Sequence, residues 1–156
     1  MPLKPGDKAP DFTLLDQHGQ PFSLNKSLKQ RKVPHLVYFY PKADTPGCTT
    51  QACSLRDVAA DLAGTAIVGI SPDPPTKQAK FDQKYGLGFP LLADEDHAVA
   101  EGYGVWGERS MYGKKYMGII RSAFLIDAKG RVIEAWYKVS PKDTAPVLLR
   151  SLGLAG

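Results

Sequence analysis

Three short apolar runs, 35-HLVYFY-40, 66-AIVGIS-71 and 123-AFLID-127, constrain this chain more than any other feature. Each is almost unbroken in apolar residues, rich in β-branched or aromatic side chains, and closed by turn formers. That is the pattern of a strand buried on both faces. Such strands need helices above and below them, and helical patterns lie between the runs. They are predicted over about 46–62, over 75–85 with Gly86 as stop, over about 94–103, and over 142–152 with Gly153 as stop. Segment 131-RVIEAWYK-138 alternates, and after the turn at 127–130 it is expected antiparallel to the strand before it. Near the start, 11-DFTLLD-16 and 21-PFSL-24 read as a small hairpin across Gln-His-Gly-Gln.

At 156 residues one domain over 1–156 is expected, large enough to bury a core without staples. Strands alternating with helices and then a closing hairpin predict an α/β fold with a mixed central sheet flanked by helices. A thioredoxin-like core with an N-terminal β-hairpin extension fits that order. The net charge of +4 is scattered, and its densest groupings are Lys29–Arg31–Lys32 and Lys114–Lys115. Neither is interleaved with aromatics, so both read as solvated faces and not as a nucleic-acid surface. The opening MPLKPGDKAPDF has no apolar core of a secretory signal, and no run reaches the ~18 apolar residues of a membrane span. A soluble, cytoplasmic protein is expected, in a compartment that keeps thiols reduced. There, two close cysteines point to redox chemistry or metal and not to a structural bridge.

The chain has two cysteines, Cys48 and Cys53, both inside 38-YFYPKADTPGCTTQACSLRD-57. Pro46 suits the first helical position, which makes Thr45 the predicted N-cap, its hydroxyl aimed at the N–H of Cys48. A sulfur in the first helical turn sits at the positive end of the macrodipole, which favours thiolate, the nucleophilic form. Helical periodicity aligns Cys48 with Ala52, Leu55, Ala59 and Leu62 on the stripe facing the sheet, and turns Cys53 away by about 140°. Ideal helix dimensions put the two Cα atoms about 8.6 Å apart. A disulfide wants less than about 7 Å, so bonding requires the first turn or two to unwind. The plainer alternative is that Cys48 is a small buried hydrophobe. Metal binding is weakly supported, since His18, His35 and His97 form no ligand-spaced cluster with the cysteines. His35 opens a strand and reads as structural.

The segment Pro41-x₃-Thr45-x₂-Cys48 resembles the active-site signature of the peroxiredoxins, thiol peroxidases on a thioredoxin fold. The run to Asp57, with a second cysteine five residues on, is similar to the peroxiredoxin Q (bacterioferritin comigratory protein) subgroup. KPGDKAPDFTLLDQHG, GISPDPP, the loop VWGERSMYGKKYMGI and the arginine-bearing 117-MGIIRSAFLID-127 match in the family's order. The resemblance implies that Cys48 is the peroxidatic and Cys53 the resolving cysteine. It further implies that Thr45 hydrogen-bonds the peroxide, Pro41 shields the thiolate, and Arg121 is the cation beside the sulfur. Hydrogen peroxide and small organic hydroperoxides are the implied substrates, thioredoxin or a similar dithiol the reductant, and no cofactor or metal is required. The tail 146–156 has no cysteine, unlike the two-subunit type, so a monomer is expected.

The rival cation, Arg109, is expected to be solvated in a Gly-rich loop. Trp106, Tyr112 and Tyr116 either rim the pocket or pack against the sheet. Two other functions stay open: a general thiol–disulfide oxidoreductase, which would be expected to carry Cys-x-x-Cys, and a non-enzymatic redox sensor or holdase.

Overall fold

A computed structural model describes residues 2–62 and 64–154; Met1, Ala63, Ala155 and Gly156, within the expected domain, lie outside the described residues. The elements run β1 (Thr13–Leu15), β2 (Pro21–Ser23), α1 (Leu24–Arg31), β3 (His35–Phe39), α2 (Pro46–Val58), β4 (Ala66–Ser71) and α3 (Pro75–Tyr85). They continue β5 (Leu91–Ala93), α4 (Ala98–Gly102), β6 (Trp106–Met111), β7 (Lys114–Ile119), β8 (Ser122–Ile126), β9 (Val132–Trp136) and α5 (Thr144–Ser151). Seven strands form one mixed sheet in the order β2-β1-β5-β4-β3-β8-β9. Strands β3, β4 and β5 are parallel, and β8 and β9 antiparallel.

The three runs that constrained the sequence are the centre of this sheet: β3, β4 and β8 are buried along their whole length. Successive side chains point to opposite faces, and each face has its own core. Val37, Phe39, Val68, Ile70, Phe124 and Ile126 meet α1 and α4 through Leu24, Leu28 and Ala100. Leu36, Tyr38, Leu125 and Leu91 meet α2, α3 and α5 through Ala52, Leu55, Phe81 and Leu148.

The expected N-terminal hairpin is present, and Leu15 pairs with Ala93, so β1 and β2 extend the main sheet as its edge; other expectations are corrected. Helix α1 lay unread because only Leu24 and Leu28 of its eight residues are buried; Ser23 caps it by accepting from the Lys26 N–H. The basic group at Lys29 and Arg31 is its last turn. Helix α4 is only Ala98–Gly102, because His97 turns left-handed at φ 52° and the Asp94 carboxylate reaches across it to accept from the N–H groups of Val99 and Ala100. The segment read as a loop at 105–119 is the antiparallel hairpin β6–β7, a second, two-stranded sheet. Its two-residue turn, Tyr112–Gly113, has both φ angles positive (52° and 78°), the geometry that suits strand twist. Tyrosine in place of the usual Asn or Asp hid that turn.

His35 is fully buried between α1 and β3. The Val33 carbonyl can only accept, so the neutral ring donates from Nδ1 and accepts at Nε2 from the Ser27 hydroxyl. Burial pushes its pKa below the ordinary value of 6.5. The unfolded chain therefore binds a proton that the native state resists. The resulting loss of stability is absent at alkaline pH, grows as pH falls through the unfolded value, and levels off below the folded one. Urea unfolding should show a steeper stability loss between about pH 8 and about pH 5 in the parent than in His35→Asn. Equal slopes would mean that His35 is not the group responsible.

Candidate active site

Strand β3 runs out at Phe39, and the chain crosses the end of the sheet through residues 40–45 into α2. Asp44 is left-handed there (φ 60°), and its carboxylate accepts from Lys84 Nζ (3.0 Å) and from the Tyr85 hydroxyl (2.9 Å) of α3. These two contacts hold the Asp44 carboxyl below the usual carboxylate range, so the tether is intact at neutral pH. Thr45 then takes extended backbone angles and Pro46 the first helical position, as the sequence predicts.

The predicted hydroxyl cap is not made. Thr45 Oγ1 turns back and donates to the Lys42 carbonyl at 2.8 Å. The left-handed Asp44 folds the loop onto itself and brings that carbonyl within reach. No side chain caps α2, so the first-turn N–H groups, that of Cys48 included, carry no such partner.

Cys48 lies in that turn, only 1% exposed, aligned with buried Ala52, Leu55 and Leu62 as the periodicity requires. Ala59 leaves the stripe and is exposed, because the helix tightens into a 3-10 turn over Ala59–Asp61. The Cys48 sulfur accepts from Arg121 Nη2 at 3.3 Å, and Arg121 Nη1 donates to Gln51 Oε1 at 2.7 Å. Gln51 Nε2 donates in turn to Thr144 Oγ1 (2.8 Å) at the start of α5, and that hydroxyl donates to the Ser140 carbonyl (2.9 Å). Arg121 stands one residue before β8, and its carbonyl accepts from Val139 N–H at 3.0 Å. The Arg121 backbone is thus held by Val139, and its guanidinium by the fully buried amide of Gln51. Gly47 makes room for it, since a Cβ there would lie 3.2 Å from Nη2 and 3.4 Å from Pro141 Cγ.

Gln51 went unread in the sequence. Its signal was available: a polar residue one turn after Cys48, on the face that the periodicity turns inward. Arg109 is also corrected. It belongs to β6, is half-buried, and donates to the Ile119 carbonyl at 2.9 Å. With Arg121, Lys138, Ile120 and Val139 it lines a cavity of about 390 Å³ beside the site. Neither Trp106, Tyr112 nor Tyr116 lines that cavity. Trp106 stacks on His97 at 3.7 Å between ring centroids, Tyr112 is 99% exposed at the hairpin turn, and Tyr116 lies over Gly118. Pro41 is half-buried at the start of the loop.

Cys53 is half-buried on the same helix, and both thiols are free. Among the described residues, no three or more His, Cys, Asp or Glu side chains are placed to hold a metal ion, and no helix is long and apolar enough to cross a membrane. A buried thiol held against an arginine in the first turn of a helix that no side chain caps, with a second free thiol on the same helix, is an arrangement suited to two-electron oxidation followed by disulfide formation.

Comparison with known proteins agrees with that chemistry. The model of the AhpC/TSA family matches residues 5–135. "Peroxiredoxin Bcp" of Escherichia coli K12 is 55% identical over 133 residues, 84% of this chain and 83% of the relative. The crystal structure of peroxidoxin BcpB from Mycobacterium tuberculosis superposes with a TM-score of 0.85 at 38% identity, covering 99% of both chains. The bacterioferritin comigratory protein of Xanthomonas campestris, described with alkyl peroxide reduction activity, superposes with a TM-score of 0.82 at 35% identity, over 91% of this chain and 90% of that one.

Proposed function

Because this chain belongs to the AhpC/TSA family, and is a peroxidase of the peroxiredoxin Q (bacterioferritin comigratory protein) group, we propose that it reduces hydroperoxides through Cys48 and Cys53 in a single peroxiredoxin domain. The observation that carries this reading is the Arg121 Nη2–Cys48 Sγ contact of 3.3 Å in the first turn of α2. In the first step the Cys48 thiolate attacks one oxygen of hydrogen peroxide or a small organic hydroperoxide. The S–O bond forms, the O–O bond breaks, and the leaving alkoxide or hydroxide takes up a proton as Cys48 becomes a sulfenic acid. Arg121 and the first-turn N–H groups stabilise the charge that develops. The Thr45 proton is committed to the Lys42 carbonyl. Its hydroxyl oxygen therefore presents lone pairs and orients the peroxide by accepting its O–H. Pro41 covers the approach.

In the second step the Cys53 sulfur attacks the sulfenic sulfur, the disulfide forms, and water leaves. Burial within α2 favours this. Its first two turns bury Cys48, Gln51 and Ala52, none a large apolar side chain, whereas Leu55 anchors the next turn. Unwinding up to Cys53 forfeits little apolar burial, while losing Leu55 would forfeit roughly 1.5–3 kcal/mol. A dithiol such as thioredoxin then reduces the disulfide by exchange. Resolution within one chain makes a monomer sufficient, and a reducing cytoplasm keeps the cycle turning.

Cys53→Ser is the test. The first oxidation should run within about twofold of the parent rate, leaving a sulfenic acid trappable by a dimedone probe, because the side-chain hydrogen bonds of Arg121 go to Cys48 and Gln51 and not to Cys53. Turnover with thioredoxin and its reductase should stop after one equivalent of peroxide. Sustained turnover at the parent rate would remove Cys53 from the cycle.

A further inference from the structure

The loop between β3 and α2, which carries Pro41 and Thr45 ahead of Cys48, is held by a largely buried polar network. Asp73, in the loop between β4 and α3, is 8% exposed. Its Oδ2 accepts from the backbone N–H of Ala43 at 2.7 Å and from the Ser71 hydroxyl at 2.7 Å. The Ser71 oxygen accepts in turn from the Asp73 N–H (3.2 Å) and from Gln78 Nε2 (2.7 Å). Gln78 also donates to the Leu92 carbonyl at 3.1 Å and accepts from the Tyr40 hydroxyl. Ser71, Gln78 and Tyr40 are at most 1% exposed. The network therefore grips the loop at both ends of its first half, through the Tyr40 side chain and through the Ala43 backbone.

Ala43 lies between Pro41 and Thr45, and its N–H is the one backbone group of residues 41–45 that bonds this network. A buried carboxylate oxygen that accepts two hydrogen bonds at 2.7 Å is a rigid reference point. Asp73 stands outside α2, so this hold is separate from the hydrogen bonds of the helix.

We propose that Asp73 is a positioning residue for the peroxide reaction: through the Ala43 N–H it fixes the loop that presents Thr45 and Pro41 above Cys48. This rests on the peroxidase reading of Cys48 given above. Asp73 touches neither substrate nor sulfur. Its effect is confined to where the substrate's partners stand, and the Arg121–Cys48 contact does not depend on it.

The experiment compares two rates on reduced protein: thiol oxidation by hydrogen peroxide and thiol alkylation by iodoacetamide. Iodoacetamide reads the reactivity of the sulfur without needing Thr45. Asp73→Ala should lower the peroxide rate by about 10- to 100-fold, the scale of losing about 1 Å of placement. The iodoacetamide rate should stay within about threefold. Asp73→Asn should recover most of the loss, because an amide oxygen at the Oδ2 position accepts the same two hydrogen bonds. Ala43→Pro cuts the same bond from the loop side and keeps Asp73 and its network, so it serves where Asp73→Ala does not fold. Its peroxide rate should fall comparably, and the double variant should lose no more than either single one. The proposal is overturned if the peroxide rate is unchanged in Ala43→Pro, if both rates fall together, or if the two losses multiply in the double variant. Slow peroxide reaction of the unsubstituted protein would instead sink the underlying peroxidase reading.

Discussion

Cys48→Ser is expected to abolish peroxide consumption while leaving the protein folded, a loss on the order of 10⁴-fold or more. Serine is slightly smaller, fits a site that is 1% exposed, and can still accept the Arg121 hydrogen bond. The packing around Ala52 and Leu55 is therefore kept, and the thermal unfolding midpoint should move by only a few degrees. What goes is the nucleophile: a hydroxyl beside one arginine and a helix start stays protonated at neutral pH, and its oxygen is a poor partner for peroxide. Peroxide consumption under a thioredoxin-coupled assay, with the unfolding midpoint measured on the same sample, separates chemistry from folding. Residual turnover above a few per cent would give the first step to Cys53.

Arg121→Ala is expected to slow the first oxidation by about 10²- to 10³-fold, the usual consequence of removing one preorganised donor from a developing anion. The substitution takes away the cation 3.3 Å from the sulfur and also strips Gln51 Oε1 of its donor. Gln51 is fully buried. Leaving its oxygen unpaired should lower stability by about 1–3 kcal/mol, detectable as a fall in the urea midpoint. Lysine at the same position should recover only part of the rate. Its single ammonium cannot serve sulfur and amide at once as the forked guanidinium does. Arg109→Ala provides the contrast. Its guanidinium is spent on the Ile119 carbonyl, so the same assay should stay within about threefold of the parent. A larger fall for Arg109 than for Arg121 would reverse the assignment of the two arginines.

The parts of the fold that were legible in the sequence are those set by local pattern. Continuous apolar runs marked β3, β4 and β8, and the period of α2 placed Cys48 inward with Ala52 and Leu55. The Pro75 and Gly86 boundaries of α3 followed from proline at a helix start and a left-handed glycine at its end. What escaped depended on long-range partners. The N-terminal hairpin joins the sheet through Leu15 and Ala93, residues far apart in sequence. Strand β5 is three residues long, too short to show a period. Arg109 was misjudged because β6 and β7, outside the main sheet, are mostly exposed and carry no apolar alternation.

The site divides the same way. The placement of Cys48 and Cys53 on one helix was readable from spacing alone. The proximity of Arg121 to the sulfur entered through family resemblance, because no local pattern joins residues 73 positions apart. The Thr45 hydroxyl was misassigned because its partner depends on the left-handed Asp44, whose conformation Lys84 and Tyr85 of another helix support. Gln51 and Asp73 make hydrogen bonds to α5 and to the loop after β3, and neither bond has a sequence signature.

On the proposed reading, Cys48 is a peroxide-reactive thiolate resolved by Cys53 of the same chain. Mixing reduced protein with one equivalent of hydrogen peroxide, and following thiol loss in time, tests it most directly. The expected result is loss of both thiols per chain, a Cys48–Cys53 disulfide in a single chain, and a rate orders of magnitude above the ~1–10 M⁻¹s⁻¹ of an unassisted thiolate. Thiol loss at that unassisted rate, or a disulfide formed only between chains, would contradict it.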